Sequence, residues 1–133
     1  MVASYRVTPP TVVFVCQHGA AKSVIAAAYL ARLAAAAGME LQAIARGTEP
    51  DEQVSPVAAS GLEAAGIPLP LQTPQRPTAG ELGRAWRVVS FGPELDVPAE
   101  RWDDVPAVAD GFEAVRDSIV ARLAALLATK PVE

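Results

Sequence analysis

Apolar positions along the chain gather into one continuous run, two alanine-rich stretches and one clearly amphipathic segment. Thr11-Val-Val-Phe-Val-Cys16 is continuously apolar and largely β-branched and follows Pro9-Pro10. This pattern predicts a strand buried on both faces of a parallel sheet, the first and central one. Ser23 to Gly38 predicts a helix: alanine and leucine dominate, Arg32 stands near its middle, and a glycine suited to the position after the last turn ends it. Leu41 to Arg46 alternates weakly, as a second strand does, before the turn residues Gly47-Thr48-Glu49-Pro50-Asp51. Ser55-Pro56 reads as an N-cap followed by proline at the first helical position, opening a helix that Gly66 ends.

Pro68 to Pro77 holds four prolines and excludes regular structure. Ala79 to Ala85 suits a short helix, and Arg87-Val-Val-Ser-Phe91 a third strand closed by Gly92-Pro93. Pro98 to Asp110 reads as a loop carrying Trp102, Asp103 and Asp104. From Phe112 to Ala128 the residues Phe112, Val115, Ile119, Leu123, Leu126 and Leu127 recur at three- and four-residue spacing, the mark of an amphipathic helix. Strand and helix thus alternate without repeats or low complexity. That order implies a mostly parallel sheet with helices on both faces and right-handed crossovers. Ligands in such sheets sit at the carboxyl ends of strands, where Cys16 lies.

At 133 residues the chain has the size of one domain, taken as 1–133 with a core of about 11–128, and needs no disulfide or metal to staple it. Hydrophobic residues make up 51% and charged residues 20%, and Arg32 interrupts the longest apolar stretch, so no membrane span is expected. Met1 to Pro10 lacks an apolar core of signal-peptide length, and a cytoplasmic location is the expectation. The net charge of −4 and a pI near 5.0, with no cluster of Lys and Arg, argue against a nucleic-acid partner. Anion recognition must therefore be local. With 1 cysteine the chain can form neither an internal disulfide nor a zinc–cysteine cluster, and no cofactor or metal is expected.

The local signal is Cys16-Gln17-His18-Gly19-Ala20-Ala21-Lys22-Ser23, a loop between a buried strand and a helix. Backbone amides from Gln17 to Lys22 can converge on an anion there, and the helix N-terminus adds partial positive charge. The same field favours a thiolate, the nucleophilic form of Cys16. Lys22 supplies a mobile cation, and Ser23 either caps the helix or donates a hydrogen bond to the thiolate. His18 could donate to a bound anion or simply shape the loop. The bland alternative is that Cys16 merely ends a buried strand, Gly19 serves the turn and Ser23 only caps.

These residues carry a resemblance. Cysteine, five residues, a basic residue and serine after the first strand is similar to the signature loop of the low-molecular-weight protein tyrosine phosphatase and arsenate reductase superfamily. Arg46-Gly-Thr-Glu-Pro50, Val54-Ser-Pro56 and Leu62-Glu-Ala-Ala-Gly-Ile67 continue the match in the manner of the arsenate reductase branch. Gln75-Arg-Pro77, Val88-Val-Ser-Phe-Gly92, Trp102-Asp and Val115-Arg-Asp117 follow in order, so the likeness spans roughly Val12 to Leu127. It implies a single-domain three-layer α/β/α fold with a mostly parallel four-stranded sheet flanked by helices. It also implies Cys16 as nucleophile, Lys22 and Ser23 as its supports, and residues 17–22 as the anion cradle.

Three departures from the family pattern bear on function. Lys22 stands where the family has arginine; it can neutralise a phosphate but not grip two oxygens in a rigid fork. The family's general acid is an aspartate followed by proline. Val105-Pro-Ala-Val108 aligns best with that stretch, which leaves Asp103, Asp104 or Asp110 as displaced candidates, Asp104 taken first. Thioredoxin-coupled arsenate reductases need further cysteines after the third strand, where this chain has Gly92-Pro93. Arg46 and Arg76 could supplement Lys22 but read more readily as solvated charges, and Trp86 and Trp102 as packing or rim residues.

Three functions follow as expectations. The first is hydrolysis of a phosphomonoester, on a small molecule or a protein, through a phosphocysteine at Cys16. The second is a catalytically degraded module that binds phosphate or a similar oxyanion. The third is arsenate reduction with an external small thiol, which requires one protein cysteine only.

Overall fold

A computed structural model describes residues 9–129. Four strands form one parallel sheet: β1 (Thr11–Cys16), β2 (Gln42–Gly47), β3 (Arg87–Ser90) and β4 (Glu100–Arg101), in the order β2-β1-β3-β4. The helices are α1 (Lys22–Ala36), α2 (Pro56–Ala64), α3 (Ala79–Arg84) and α4 (Phe112–Leu127), with a 3₁₀ turn at Val108–Asp110 before the last. Of the stretch Met1 to Pro10, read as lacking a signal peptide, Met1 to Thr8 lie outside the described residues. Among the described residues no helix is long and apolar enough to cross a membrane.

The central strand follows directly from its residues. Val12, Val13, Phe14 and Val15 are all 0% exposed, and each such side chain contributes about 1.5–3 kcal/mol by leaving water. Alternation sends Val12, Phe14 and Cys16 to one face, where they join a core with Ile25 and Leu30 of α1 and Ile119 and Leu123 of α4. Val13 and Val15 point to the other face and are buried there too, so β1 is covered on both sides. Alanines 26 to 28 are buried against this core, and their small size lets α1 lie close to β1 and β2.

Element positions predicted from pattern hold, with shifted ends. The first helix begins at Lys22 rather than Ser23, because Ala21 occupies the cap position. The second strand runs one residue later than Leu41–Arg46, since Gly47 still pairs with Cys16. Ser55 does cap α2, accepting from the Ala58 amide at 3.4 Å, and Gly66 follows that helix with φ +73°. The fourth strand lies inside the stretch read as the Pro98–Asp110 loop. Two residues of β4 pair with Val89 and Ser90, too short a segment for periodicity to reveal.

One ion pair ties the sheet to α3. Arg46 donates to both carboxylate oxygens of Glu81, at 3.0 and 2.7 Å, and is itself part-buried, not a solvated charge. Glu81 also accepts from the Thr78 amide while Thr78 accepts from the Glu81 amide, a reciprocal cap at the start of α3. The Arg46 guanidinium holds the Glu81 carboxyl below its ordinary value of 4.5. This carboxylate therefore stabilises the fold fully above about pH 4.5, and its contribution fades as pH falls through the lower native value. Glu81→Ala is expected to cost about 2 kcal/mol at neutral pH, from the lost cap and the part-buried guanidinium left unpaired. Thermal unfolding from pH 7 to 3 checks both points: Glu81→Gln should flatten the acid limb, and an unchanged limb would remove Arg46–Glu81 from the account.

Candidate functional site

Cys16 ends β1, whose two neighbours in the sheet lie on opposite sides and connect in opposite directions. The crevice at such a switch point opens at the carboxyl ends of the strands, directly over the segment that follows Cys16. Within it, Gly19 has φ +61°, the left-handed region that favours glycine.

The orientation of this loop is set by a second loop that straps its outer side. The Cys16, Gln17, His18 and Ala20 carbonyls accept hydrogen bonds from the amides of Thr48, Glu49, Asp51 and Ser55, at 3.1, 2.7, 3.0 and 2.9 Å. In a planar trans peptide the N–H points away from the C=O. Tying these carbonyls outward therefore turns the amides of Gln17, His18, Gly19 and Ala21 toward the inner side. Among the described residues, the amides of Gln17 to Ala21 donate to no backbone carbonyl. The start of α1 adds to them, since Ala21 brings no side-chain cap and the first-turn amides stay available.

The strap comes close because two glycines cross. A Cβ on Gly47 would stand 2.4 Å from the Gly19 nitrogen, and one on Gly19 2.8 Å from the Gly47 nitrogen. The proline-rich segment closes the far side, where the Gln75 carbonyl accepts from the Gly47 amide at 2.9 Å.

Cys16 is 8% exposed, and its Sγ lies 3.1 Å from the Ser23 Oγ, which is fully buried. Of the two roles open to Ser23 in the sequence, the structure shows the contact with sulfur; the cap position belongs to Ala21. When the thiol ionises, the hydroxyl can reverse this bond and donate to the thiolate. Lys22 occupies the first position of α1 and is part-buried. His18 is exposed, with its Nδ1 3.2 Å from Asp51 Oδ1 on the strap.

A cleft of about 410 Å³ opens beside the loop, lined by Gln17, Thr48, Glu49, Phe91, Gly92, Pro93 and Glu94. Its β3 side is well braced. Buried Ser90 accepts from the Gly92 amide and donates to the Pro93 carbonyl, while Arg101 donates to the Gly92 and Pro93 carbonyls at 2.8 and 3.0 Å. On the β2 side, Gln17 Nε2 donates to Glu49 Oε1 at 2.6 Å. Sequence reasoning missed Gly47, Glu49 and Glu94 as parts of the site. The signal available was the parallel order itself, which sets the turns after β2 and β3 on either side of the turn after β1.

The aspartates considered as proton donors lie elsewhere in the contact network. Asp104 pairs with Arg122 of α4, whose guanidinium stands 5.7 Å from the Trp102 ring centroid. Asp103 binds Arg101 at 3.1 Å, and Asp110 ends the 3₁₀ turn. None of the three lines the cleft. Trp102 is buried against Phe14 and Phe91, with ring centroids 5.9 and 5.7 Å away, and serves packing. Among the described residues no group of three or more His, Cys, Asp and Glu could hold a metal ion.

Comparison with known proteins adds the context. A family model described as low molecular weight phosphotyrosine protein phosphatase matches residues 11–89. No curated protein matches the chain in sequence. Among solved structures, a thioredoxin-dependent arsenate reductase of Corynebacterium glutamicum is similar with a TM-score of 0.74 at 21% identity, over 94% of this chain and 63% of that one. This chain thus spans less than two thirds of that protein. YfkJ from Bacillus subtilis is similar with a TM-score of 0.79 at 20% identity, over 94% of this chain and 96% of its own. A third structure, described as an arsenate reductase in the phosphate binding state, gives 0.71 at 23% identity over 90% and 98%. At these identities the likeness speaks for the fold.

Proposed function

Because the chain belongs to the low molecular weight phosphotyrosine protein phosphatase family, we propose that it hydrolyses phosphate monoesters through a phosphocysteine at Cys16. The observation that carries this reading is the strap: four loop carbonyls are tied outward, so the loop amides face the place where a phosphate would sit above the thiol. Cys16 attacks phosphorus as the ester P–O bond breaks, and the S–P bond forms in its place. Loop amides, the α1 N-terminus and Lys22 hold the oxygens in the transition state, and Ser23 steadies the sulfur as thiolate and as leaving group. Water then releases inorganic phosphate and returns the thiolate. Asp104 donates the leaving group's proton only if it gives up Arg122, so esters with acidic leaving groups turn over best. The similar structure described in a phosphate binding state supports an oxyanion as the ligand.

A second reading, an oxyanion-binding module without turnover, draws on Lys22 and on the pairing of Asp103 and Asp104 with arginines. Release of p-nitrophenol from its phosphate ester separates the two. Turnover by the wild type, raised about tenfold by Lys22→Arg as a fork replaces a point charge, is the outcome expected of the enzyme. No turnover, with inorganic phosphate still shielding Cys16 from alkylation, would leave the binding module standing. No shielding would end both.

A further inference from the structure

We infer that the cleft beside the Cys16 loop selects phosphate monoesters whose remainder carries a positive charge, with Glu49 and Glu94 as the residues that read it. The inference rests on the phosphatase reading and names the substrate class for that same site. Strands β2 and β3 are the two neighbours of β1, so the turns that follow them flank the loop that follows Cys16. Each of these turns brings a carboxylate into the cleft, Glu49 from one side and Glu94 from the other, and among the described residues no Lys, Arg or His lines it.

Glu49 is held in place twice over. Its amide donates to the Gln17 carbonyl at 2.7 Å, and its Oε1 accepts from Gln17 Nε2 at 2.6 Å. Gln17 is the residue after the nucleophile, so this carboxylate is anchored to the loop that would bind phosphate. Glu94 is freer, with a side chain 93% exposed and 3.4 Å from Arg101 Nη1. Arg101 does not cancel the charge on that side, because the same guanidinium also pairs with Asp103 at 3.1 Å. The strap adds Asp51, set against His18, and exposed Glu52.

The loop and the cleft beside it therefore differ in sign. Amides, a helix N-terminus and Lys22 suit the loop to a phosphate, while the cleft, which Gln17 joins to that loop, carries net negative charge. An ester with a second anionic group would set that group against Glu49 and Glu94. An ester with an ammonium group is attracted by the same carboxylates. For partly solvated charges several ångströms apart, two such contacts correspond to a preference of about three- to tenfold at low salt, shrinking as salt rises.

The test uses the chain's 1 cysteine and does not depend on turnover. Alkylation of Cys16 by iodoacetamide is followed at increasing concentrations of phosphocholine, phosphoglycolate and inorganic phosphate, in wild type and in the Glu49→Gln, Glu94→Gln double variant. Inorganic phosphate, having no remainder, is the reference within each protein. Phosphocholine is expected to half-protect at a concentration about three- to tenfold below that of phosphoglycolate, with the gap closing in the double variant and at high salt. Equal protection by the two esters, or a gap that survives the double substitution, overturns the inference while leaving the phosphatase reading intact. Absence of protection by inorganic phosphate in the wild type removes the phosphatase reading, and this inference with it.

Discussion

Cys16→Ser is expected to lower the turnover of p-nitrophenyl phosphate by at least about a thousandfold. In the phosphatase reading the Cys16 sulfur is the atom that attacks phosphorus at the end of β1, and a serine hydroxyl there is a far weaker nucleophile than a thiolate. The loop amides and Lys22 remain in the variant, so phosphate binding should persist while chemistry stops. Folding should survive as well. Serine is close to cysteine in volume, and the new hydroxyl can keep a hydrogen bond with Ser23, the partner that Sγ has at 3.1 Å. Initial rates and thermal unfolding, measured side by side, check the two halves. Residual turnover within tenfold of the wild type in a folded variant would move the nucleophile away from Cys16.

Gly47→Ala is expected to destabilise the protein by about 3 kcal/mol and to spoil the anion site at the same time. The new methyl would stand 2.4 Å from the Gly19 nitrogen, 2.6 Å from the His18 carbonyl carbon and 2.7 Å from the Gly19 Cα. All three are backbone atoms, and no rotamer change relieves the overlap. Either β2 withdraws from β1, breaking the pairing of Gly47 with Cys16, or the loop swings away from the strap and loses its outward carbonyl bonds. The midpoint of thermal unfolding should fall by about 10 °C. The shift that millimolar phosphate gives the wild type should shrink or vanish, as expected when a ligand binds the native state less well. Gly38→Ala is a useful comparison. Gly38 has positive φ, which Gly47 does not, and a Cβ there meets nothing within 4 Å, so its substitution should cost less and leave the phosphate shift untouched. If Gly47→Ala behaves like Gly38→Ala, the glycine crossing does not shape the cradle.

Much of this protein was determined by local sequence. The Thr11–Cys16 strand appears with the bounds its continuous apolar run predicts, because a segment buried on both faces has no polar positions to blur its edges. The amphipathic spacing of Val115, Ile119 and Leu123 likewise determined α4 and the face it buries. The loop Cys16 to Ser23 could be placed at a strand end and a helix start, hence at a crevice, and its resemblance to the phosphatase superfamily agrees with the family to which the chain belongs. In each case the deciding interactions lie within a few residues or repeat with a fixed period, and a single sequence displays both.

What only the tertiary structure decided involves partners far apart in the chain. That Gly47 must be glycine depends on Gly19 crossing it, and nothing near Gly47 announces the crossing. Ser23 could cap or face the sulfur; the path of the chain from β1 into α1 chose the sulfur by giving the cap position to Ala21. Arg46 reads as a surface charge until α3 brings Glu81 beside it. Asp104 reads as a solvated loop carboxylate until α4 presents Arg122. Glu49 and Glu94 line one cleft only because β2 and β3 pair on opposite sides of β1. Hydrogen bonds, ion pairs and steric contacts act over a few ångströms of space, and separation along the chain does not say which groups that space will hold.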